Sequence, residues 1–188
     1  MFKAFLTALI MIFLTCYPFI VYIGLTRFNS YLLTMILLTL LIIRLWLSKP
    51  LLAKMPWIKP ASLLGILAIG LSKTMGSDFG IRLYPVIVNT VMFFVFAYSL
   101  YKGPSIIETF ARITEPKLDK RAISYTKNVT KIWCIFFVFN ASIALYTSVF
   151  TSLDVWAFYN GFIAYIIMGV LFAVEWLVRK KVKRNAGV

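Results

Sequence analysis

The chain consists of long apolar stretches separated by short polar segments. A helix needs roughly 20 mostly apolar residues to cross a bilayer, because the hydrocarbon core is about 30 Å thick and the helix rises about 1.5 Å per residue. Six stretches come close to that length or exceed it, and we interpret each as a membrane-spanning helix. They cover residues 4–25, 31–48, 61–75, 83–101, 130–150 and 155–178. The pattern therefore predicts an all-α membrane protein in which residues 1–188 form a single membrane domain.

Two of these stretches need an argument of their own. Residues 61–75 are few and include Lys73, so they predict a short, tilted or partly re-entrant helix. Residues 2–25 share the apolar character of a secretory signal peptide, but the apolar run exceeds the usual length of about 7–15 residues and no small-residue cleavage motif follows it. We interpret this stretch as a retained first span.

The basic residues predict the orientation. With six spans and the N-terminus inside, all but three of the 20 Lys and Arg residues fall on one side of the membrane. The exceptions are Arg27, Lys73 and Arg82. Cytoplasmic loops are rich in Lys and Arg, and an odd number of spans would move either the 102–131 segment or the basic C-terminal tail outside. The distribution predicts three hairpins with both termini cytoplasmic. The external connections are then short, at residues 26–30, 76–82 and 151–154.

Composition supports the membrane class and argues against several chemistries. The chain is 62% hydrophobic and 14% charged, whereas soluble domains average roughly 45–50% and 25%. A net charge of +14 would suggest nucleic acid in a soluble protein, but membrane topology accounts for it here. Histidine is absent, and Cys16 and Cys134 lie in apolar runs without disulfide or metal-ligand spacing. We therefore expect no nucleic-acid partner, metal or cofactor.

The largest water-facing segment is the predicted cytoplasmic loop 102–129. A helix within it has one apolar face, and Glu108 and Arg112 form an i,i+4 pair on the other. The apolar face consists of Ile106, Ile107, Phe110 and Ile113. This pattern predicts an amphipathic helix on the membrane surface, and a solvated linker is the alternative. Asp119 is the predicted N-cap of a long helix that continues into the fifth span.

Polar side chains inside a bilayer are costly unless paired, so each is a candidate functional group. The candidate intramembrane polar track consists of Tyr84, Asn89, Asn140, Tyr159, Asn160 and Glu175. Asparagines also hold membrane helices together, which is the structural alternative to ligand binding. For Glu175 the alternative is an ion pair with Arg179, one helical turn further on.

The sixth span carries small residues at multiples of four positions, which form a candidate helix-packing face. They are Ala157, Gly161, Gly169 and Ala173. Small residues allow another helix to approach closely, whether that helix belongs to this chain or to a partner. Several aromatic residues lie near predicted interfaces, where we expect them to act as anchors. These are Trp133, Trp156, Trp176, Tyr101 and Tyr125.

Several short motifs occur together from residue 83 onward. They are Leu83-Tyr84-Pro85-Val86-Ile87-Val88-Asn89, Pro104-Ser105-Ile106-Ile107-Glu108, Glu115-Pro116, Tyr125-Thr126, Trp133-Cys134-x-Phe136-Phe137-x-x-Asn140 and Trp156-Ala157-x-Tyr159-Asn160-Gly161. In these motifs, which cover about half the chain, it resembles an uncharacterised group of small multi-span proteins of the Gram-negative inner membrane. The Lys-x-Pro-x-Ile exit followed by Trp-x-x-Phe-Phe is more distantly similar to the intracellular septation protein A family, from which the first spans differ.

The resemblance implies a setting rather than a reaction. The first group tends to be encoded among aryl-polyene or fatty-acid-like lipid synthesis genes, and the septation relatives are linked to envelope synthesis and division. Neither family supplies catalytic residues to carry over.

The sequence predicts a non-enzymatic accessory or scaffold protein of envelope or lipid-pathway biogenesis in the bacterial inner membrane. Its expected partners are membrane lipids and pathway proteins, bound through the basic loop and the small-residue face. The alternative is a carrier or flippase for a lipid or lipid-linked intermediate that uses the polar track. A membrane enzyme is a third hypothesis, with candidate residues at the outer face. These candidates are Asp78, Arg82 and Tyr84.

Overall fold

The computed structural model describes residues 17–27, 30–47, 58–74 and 79–185, and every regular element in these ranges is helical. The helices are α1 (Tyr17–Arg27), α2 (Ser30–Leu47), α3 (Ile58–Thr74), α4 (Phe79–Arg82), α5 (Tyr84–Lys102), α6 (Ile106–Thr114), α7 (Lys120–Phe150), α8 (Leu153–Phe158) and α9 (Ala164–Asn185). A π-helical turn, Tyr159–Ile163, joins α8 to α9. The all-α class predicted from the sequence is confirmed for this part of the chain.

Three helical segments of the described chain are long and apolar enough to cross a membrane. They are Tyr84–Lys102, Lys120–Phe150 and Leu153–Lys181. Their outward side chains include large apolar groups such as Phe94, Ile135 and Phe150, each more than 60% exposed. Exposing so much apolar surface to water would cost free energy, whereas exposing it to lipid acyl chains does not. These features are those of a membrane protein. The apolar parts of α2 and α3 are shorter, so length alone does not identify those helices as spans.

Helix α7 is one continuous element that joins the predicted cytoplasmic loop to the predicted fifth span. It has 31 residues, which corresponds to about 46 Å and is about ten residues more than a span requires. Its N-cap is Asp119, whose carboxylate accepts a hydrogen bond from the Ala122 N–H at 2.7 Å. The predicted cap is therefore confirmed.

Helix α6 forms where the sequence predicts it. The predicted ion pair is present, with Arg112 Nη2 2.7 Å from Glu108 Oε1. Glu108 nevertheless lies inside, only 5% exposed, while Phe110 and Ile113 are 52% and 76% exposed. The sequence places Glu108 and Arg112 on one face of the helix, and the structure turns Glu108 toward the bundle. The physical reason is the anchoring at the start of the helix, where the buried Ser105 caps α6 and fixes its rotation.

Among the described residues, the interior contains two clusters of buried side chains, and α5 and α7 form the most extensive helix pair. The Trp156 cluster comprises Tyr17, Val21, Leu33, Leu37, Leu41, Ile69, Ile81, Tyr84, Trp156 and Ala157. The Trp133 cluster comprises Phe96, Val129, Trp133, Cys134, Phe136 and Phe137. Both tryptophans are core residues rather than the interfacial anchors predicted from the sequence, whereas Trp176 and Tyr101 are exposed. Trp156 tolerates burial because its indole N–H donates to the Arg82 carbonyl at 3.1 Å.

The connection before α5 is not simply an external loop. Residues 79–82 of the predicted 76–82 loop form α4, which packs along α3 and buries Gly80 and Ile81. The hydroxyl of the buried Tyr17 donates to the Ile81 carbonyl. The apolar side chain of Ile81 and the satisfaction of its carbonyl explain why this segment enters the core. Asp78 lies outside the described residues.

The small-residue face of the last span divides into two halves. Ala157 and Gly161 are buried, and a Cβ atom at Gly161 would lie 2.9 Å from the Phe19 ring of α1. Gly169 and Ala173 are exposed, and a Cβ atom at Gly169 would have no atom within 4 Å. The first half therefore packs against a helix of this chain and the second half is open.

This division predicts opposite outcomes for two matched substitutions. Gly161→Leu should lower the free energy of unfolding by about 1–3 kcal/mol, because the new side chain must displace Phe19. Gly169→Leu should change it by no more than about 0.5 kcal/mol. Unfolding of the purified full chain by SDS titration, followed by tryptophan fluorescence, measures both. Equal effects of the two substitutions would contradict the assignment of the two halves.

Candidate functional site

Three polar side chains meet between α5, α7 and the π-helical turn, and we call them the Asn140 group: Asn89, Asn140 and Tyr159. The Asn140 Nδ2 donates to Asn89 Oδ1 at 3.0 Å, and the Tyr159 hydroxyl donates to Asn140 Oδ1 at 2.8 Å. The Asn89 Nδ2 donates in turn to the Pro85 carbonyl at 2.8 Å. Because the amides and the phenol pair with one another, this part of the predicted polar track stabilises helix packing directly.

The π-helical turn explains how neighbouring residues reach the same helix. A π turn is wider than an α turn and often marks a functional position. Here it allows the consecutive residues Tyr159 and Asn160 to contact α7 at Asn140 and Thr147, which are two turns apart. The Asn160 Nδ2 donates to Thr147 Oγ1 at 3.2 Å and to the Trp156 carbonyl at 2.9 Å.

Arg82 lies at the C-terminal end of α7. Its Nη2 donates to the carbonyls of Thr147 and Thr151, each at 2.9 Å. The last carbonyls of a helix lack partners within the helix and carry partial negative charge, so a guanidinium stabilises them. The Arg82 carbonyl accepts from Ser148 Oγ at 2.9 Å and from the Trp156 indole. Burial lowers the pKa of the Arg82 guanidinium, but the group remains cationic because arginine does not deprotonate in proteins.

Two atoms in this region are buried without a hydrogen-bond partner: the Arg82 Nε and the Asn160 Oδ1. One is a donor and the other an acceptor, and both side chains bind Thr147. The orientation of the Asn160 amide follows from its bond to the Trp156 carbonyl, which only the amide nitrogen can make. Unpaired buried groups cost about 1–3 kcal/mol each. This arrangement offers hydrogen-bonding capacity that the described packing does not use.

The remaining members of the predicted track lie elsewhere. Glu175 accepts from the Tyr125 hydroxyl, with the carboxylate oxygen at 3.3 Å, and its Oε1 lies 3.6 Å from the Arg179 Nε. The ion pair that the sequence offered as the alternative for Glu175 is present. Tyr84 belongs to the Trp156 cluster, where its ring centroid is 4.8 Å from that of Tyr17. The track is therefore several separate groups rather than one path.

Sequence reasoning missed the residues that assemble around Arg82. Thr147 and Ser148 are ordinary small polar residues of an apolar helix, and Trp156 was predicted to be an interfacial anchor. No sequence signal connects them to Arg82, which lies more than 60 positions earlier in the chain. As a candidate site residue, Arg82 was named only for the enzyme hypothesis, together with Asp78 and Tyr84, and Tyr84 lies in the Trp156 cluster.

The described residues offer hydrogen bonding and one localised positive charge at this end of α7. They contain no group of three or more His, Cys, Asp or Glu side chains that could hold a metal. Comparison of the chain with known protein families, curated proteins and solved structures finds no significant match. Function must therefore be inferred from the chain's own geometry.

The Asn140 group makes a prediction about stability. Asn140→Ala removes two hydrogen bonds between elements and should lower the free energy of unfolding by about 0.6–2 kcal/mol. Asn89→Ala and Asn140→Ala should be less than additive when combined, because they share one bond. SDS titration of the purified chain measures each variant.

Ser142→Ala is the matched control, since the Ser142 hydroxyl is exposed and bonds only within α7. It should change the free energy of unfolding by less than about 0.5 kcal/mol. Full additivity of the two asparagine substitutions would contradict the pairing of Asn89 with Asn140.

Proposed function

We propose that the chain is a six-span protein of the bacterial inner membrane that acts as a non-enzymatic accessory or scaffold in envelope or lipid-pathway biogenesis. The observation that carries the proposal is the internal pairing of the Asn140 group, which assigns its polar side chains to helix packing. Interaction then takes place on the surfaces that the bundle leaves open. The resemblance of its motifs to those of small inner-membrane proteins favours the same setting.

The proposed orientation places the basic end of the bundle in the cytoplasm. The Tyr125–Glu175 hydrogen bond brings the first turns of α7 next to the last turns of α9. Exposed basic residues therefore collect at one end of the described chain. They include Lys127, Lys131, Arg179, Lys180 and Lys181. The positive-inside tendency favours the cytoplasm for this end.

Topology reporters test the six spans. Alkaline phosphatase fused after Ser77 should be active, because this position is expected in the periplasm, whereas a green fluorescent protein fused after Val188 should fluoresce in the cytoplasm. A phosphatase fusion after Lys117 is the inactive control. An inactive fusion after Ser77 would show that the third span does not cross the membrane. The predicted orientation of every later segment would then be reversed.

The partner-binding surface in this proposal is the open half of the small-residue face. Gly169 and Ala173 are exposed on a helix whose other small residues already pack closely against α1. Small residues let membrane helices approach closely enough for extensive van der Waals contact. We propose that a helix of a pathway protein packs there, beside the basic end of α9.

A complementation experiment tests this surface. Deletion of the gene should change the whole-envelope lipid and pigment profile, and the wild-type gene should restore it. Gly169→Leu should lose at least half of that restoration while the protein's level and unfolding free energy stay unchanged. Val170→Leu, at a neighbouring exposed position, is the matched control and should complement fully.

If the double variant Gly169→Leu, Ala173→Leu restored the profile fully, this surface would be excluded as the partner-binding site. An unchanged lipid profile after deletion would exclude the lipid-pathway assignment itself.

A lipid carrier is the second candidate, favoured by the unpaired Arg82 Nε and Asn160 Oδ1. A headgroup that both accepts and donates hydrogen bonds could use these atoms when the bundle opens. If the chain is a carrier, proteoliposomes should move fluorescent phosphatidylglycerol between leaflets, and Arg82→Gln or Asn160→Ala should slow this at least tenfold. Asn140→Ala should affect transport less. A wild-type rate equal to that of protein-free vesicles would exclude this candidate.

A further inference from the structure

Helix α6 turns its carboxylate inward and two of its large apolar side chains outward, although Ile106 and Ile107 pack against the Trp133 cluster. Its carboxylate, on Glu108, faces the bundle and is 5% exposed, while the large apolar side chains of Phe110 and Ile113 face outward. Burying a charge is costly even when it is paired, and exposing two large apolar groups to water adds to that cost. The arrangement is favourable only if the outward face meets an apolar environment.

This orientation is fixed by hydrogen bonds at the start of the helix. The Ile106 N–H donates to Ser99 Oγ at 3.0 Å, which ties α6 to the last turns of α5. Ser105 Oγ accepts from the Glu108 N–H at 3.3 Å. Arg112, one turn later, donates through Nε and Nη2 to Glu108 Oε1, so the buried carboxylate is neutralised inside the protein. Helix α6 therefore cannot turn Phe110 and Ile113 inward without losing these bonds.

The position of α6 along the bundle places it at the edge of the hydrocarbon layer. Ile106 and Ile107 pack against the Trp133 cluster, which includes Val129 of α7. Helix α7 is about ten residues longer than a span requires, and Val129 is one of the first ten residues of that helix. If the excess length extends on this side, α6 lies where the acyl chains meet the headgroups.

The charges around α6 complement anionic headgroups. Lys102 precedes the helix and Lys117 follows it, and both are exposed. Of the three acidic groups of the segment, Glu108 is engaged in its ion pair and Asp119 caps α7, while Glu115 lies at the C-terminal end of α6. The outward side of α6 thus presents apolar side chains flanked by positive charge, the pattern of an interfacial helix that binds anionic lipid.

We infer that Phe110 and Ile113 insert into the interfacial layer of the same bilayer that the long helices cross, and that Lys102 and Lys117 bind anionic phospholipid headgroups there. The surface is defined by these residues and takes lipid rather than protein. This inference depends on the membrane setting of α5 and α7 but not on the proposed accessory role. The lipid-binding inference and the accessory role can therefore fail independently.

Lipid quenching tests the contact. In the full chain, Cys16→Ser and Cys134→Ala first remove the two native cysteines. A single cysteine then replaces either Phe110 or Ile113. Each single-cysteine variant is labelled with bimane in vesicles that contain brominated phosphatidylcholine. Bromine quenches only fluorophores that it contacts, so both positions should lose at least half of their fluorescence. Lys120→Cys, at the exposed start of α7, should lose little. Absence of quenching at position 113 would show that water or protein covers this face and would overturn the inference.

A second comparison tests the lipid class. At equal mole fractions, brominated phosphatidylglycerol should quench the position 113 label more effectively than brominated phosphatidylcholine. Lys102→Gln and Lys117→Gln should each reduce this preference by roughly fivefold, the ratio equivalent to ~1 kcal/mol per basic residue near an anionic surface. Equal quenching by the two lipids, or a preference unchanged in the double variant, would overturn the anionic-lipid assignment.

Discussion

The hydrogen bond from Asn140 to Asn89 joins the two helices on which the rest of the bundle is arranged. In lipid, apolar side chains provide little preference for one helix register over another, because acyl chains are equally apolar. An amide pair does provide one, since any other register breaks the hydrogen bond from Asn140 Nδ2 to Asn89 Oδ1. With α5 and α7 in register, α6 is held at one end of the pair and Arg82 at the other.

At the Arg82 end, the backbone itself creates the constraint. Helix α4 brings the carbonyls of its last two residues into the interior, where no solvent can satisfy them. The side chains of Tyr17, Ser148 and Trp156 donate to the carbonyls of Ile81 and Arg82. The Arg82 side chain in turn donates to the carbonyls of Thr147 and Thr151 at the C-terminal end of α7. The Arg82 end of the bundle is thus stabilised by hydrogen bonds in both directions between elements that are far apart in sequence.

The sequence predicted the features that depend on neighbouring residues. Apolar runs located the long helices, Asp119 marked the start of α7, and spacing alone paired Glu108 with Arg112. It did not predict α4, the π-helical turn or the rotation of α6, because each depends on contacts across the bundle. The candidate site shows the same limit: composition identified Asn89, Asn140 and Asn160 as unusual, but only packing places Asn160 with Thr147 and separates it from the other two.

The π-helical turn contains one residue more than the α turn it replaces. Everything after Ile163 is therefore advanced by about 100° around the helix axis relative to an uninterrupted α-helix. With this rotation, Met168 and Leu171 pack against the Trp133 cluster. The ring centroid of Phe172 lies 4.6 Å from that of Trp133. A gene that lost one codon in this turn would keep its apolar composition while presenting a different side of its last helix to the rest of the bundle.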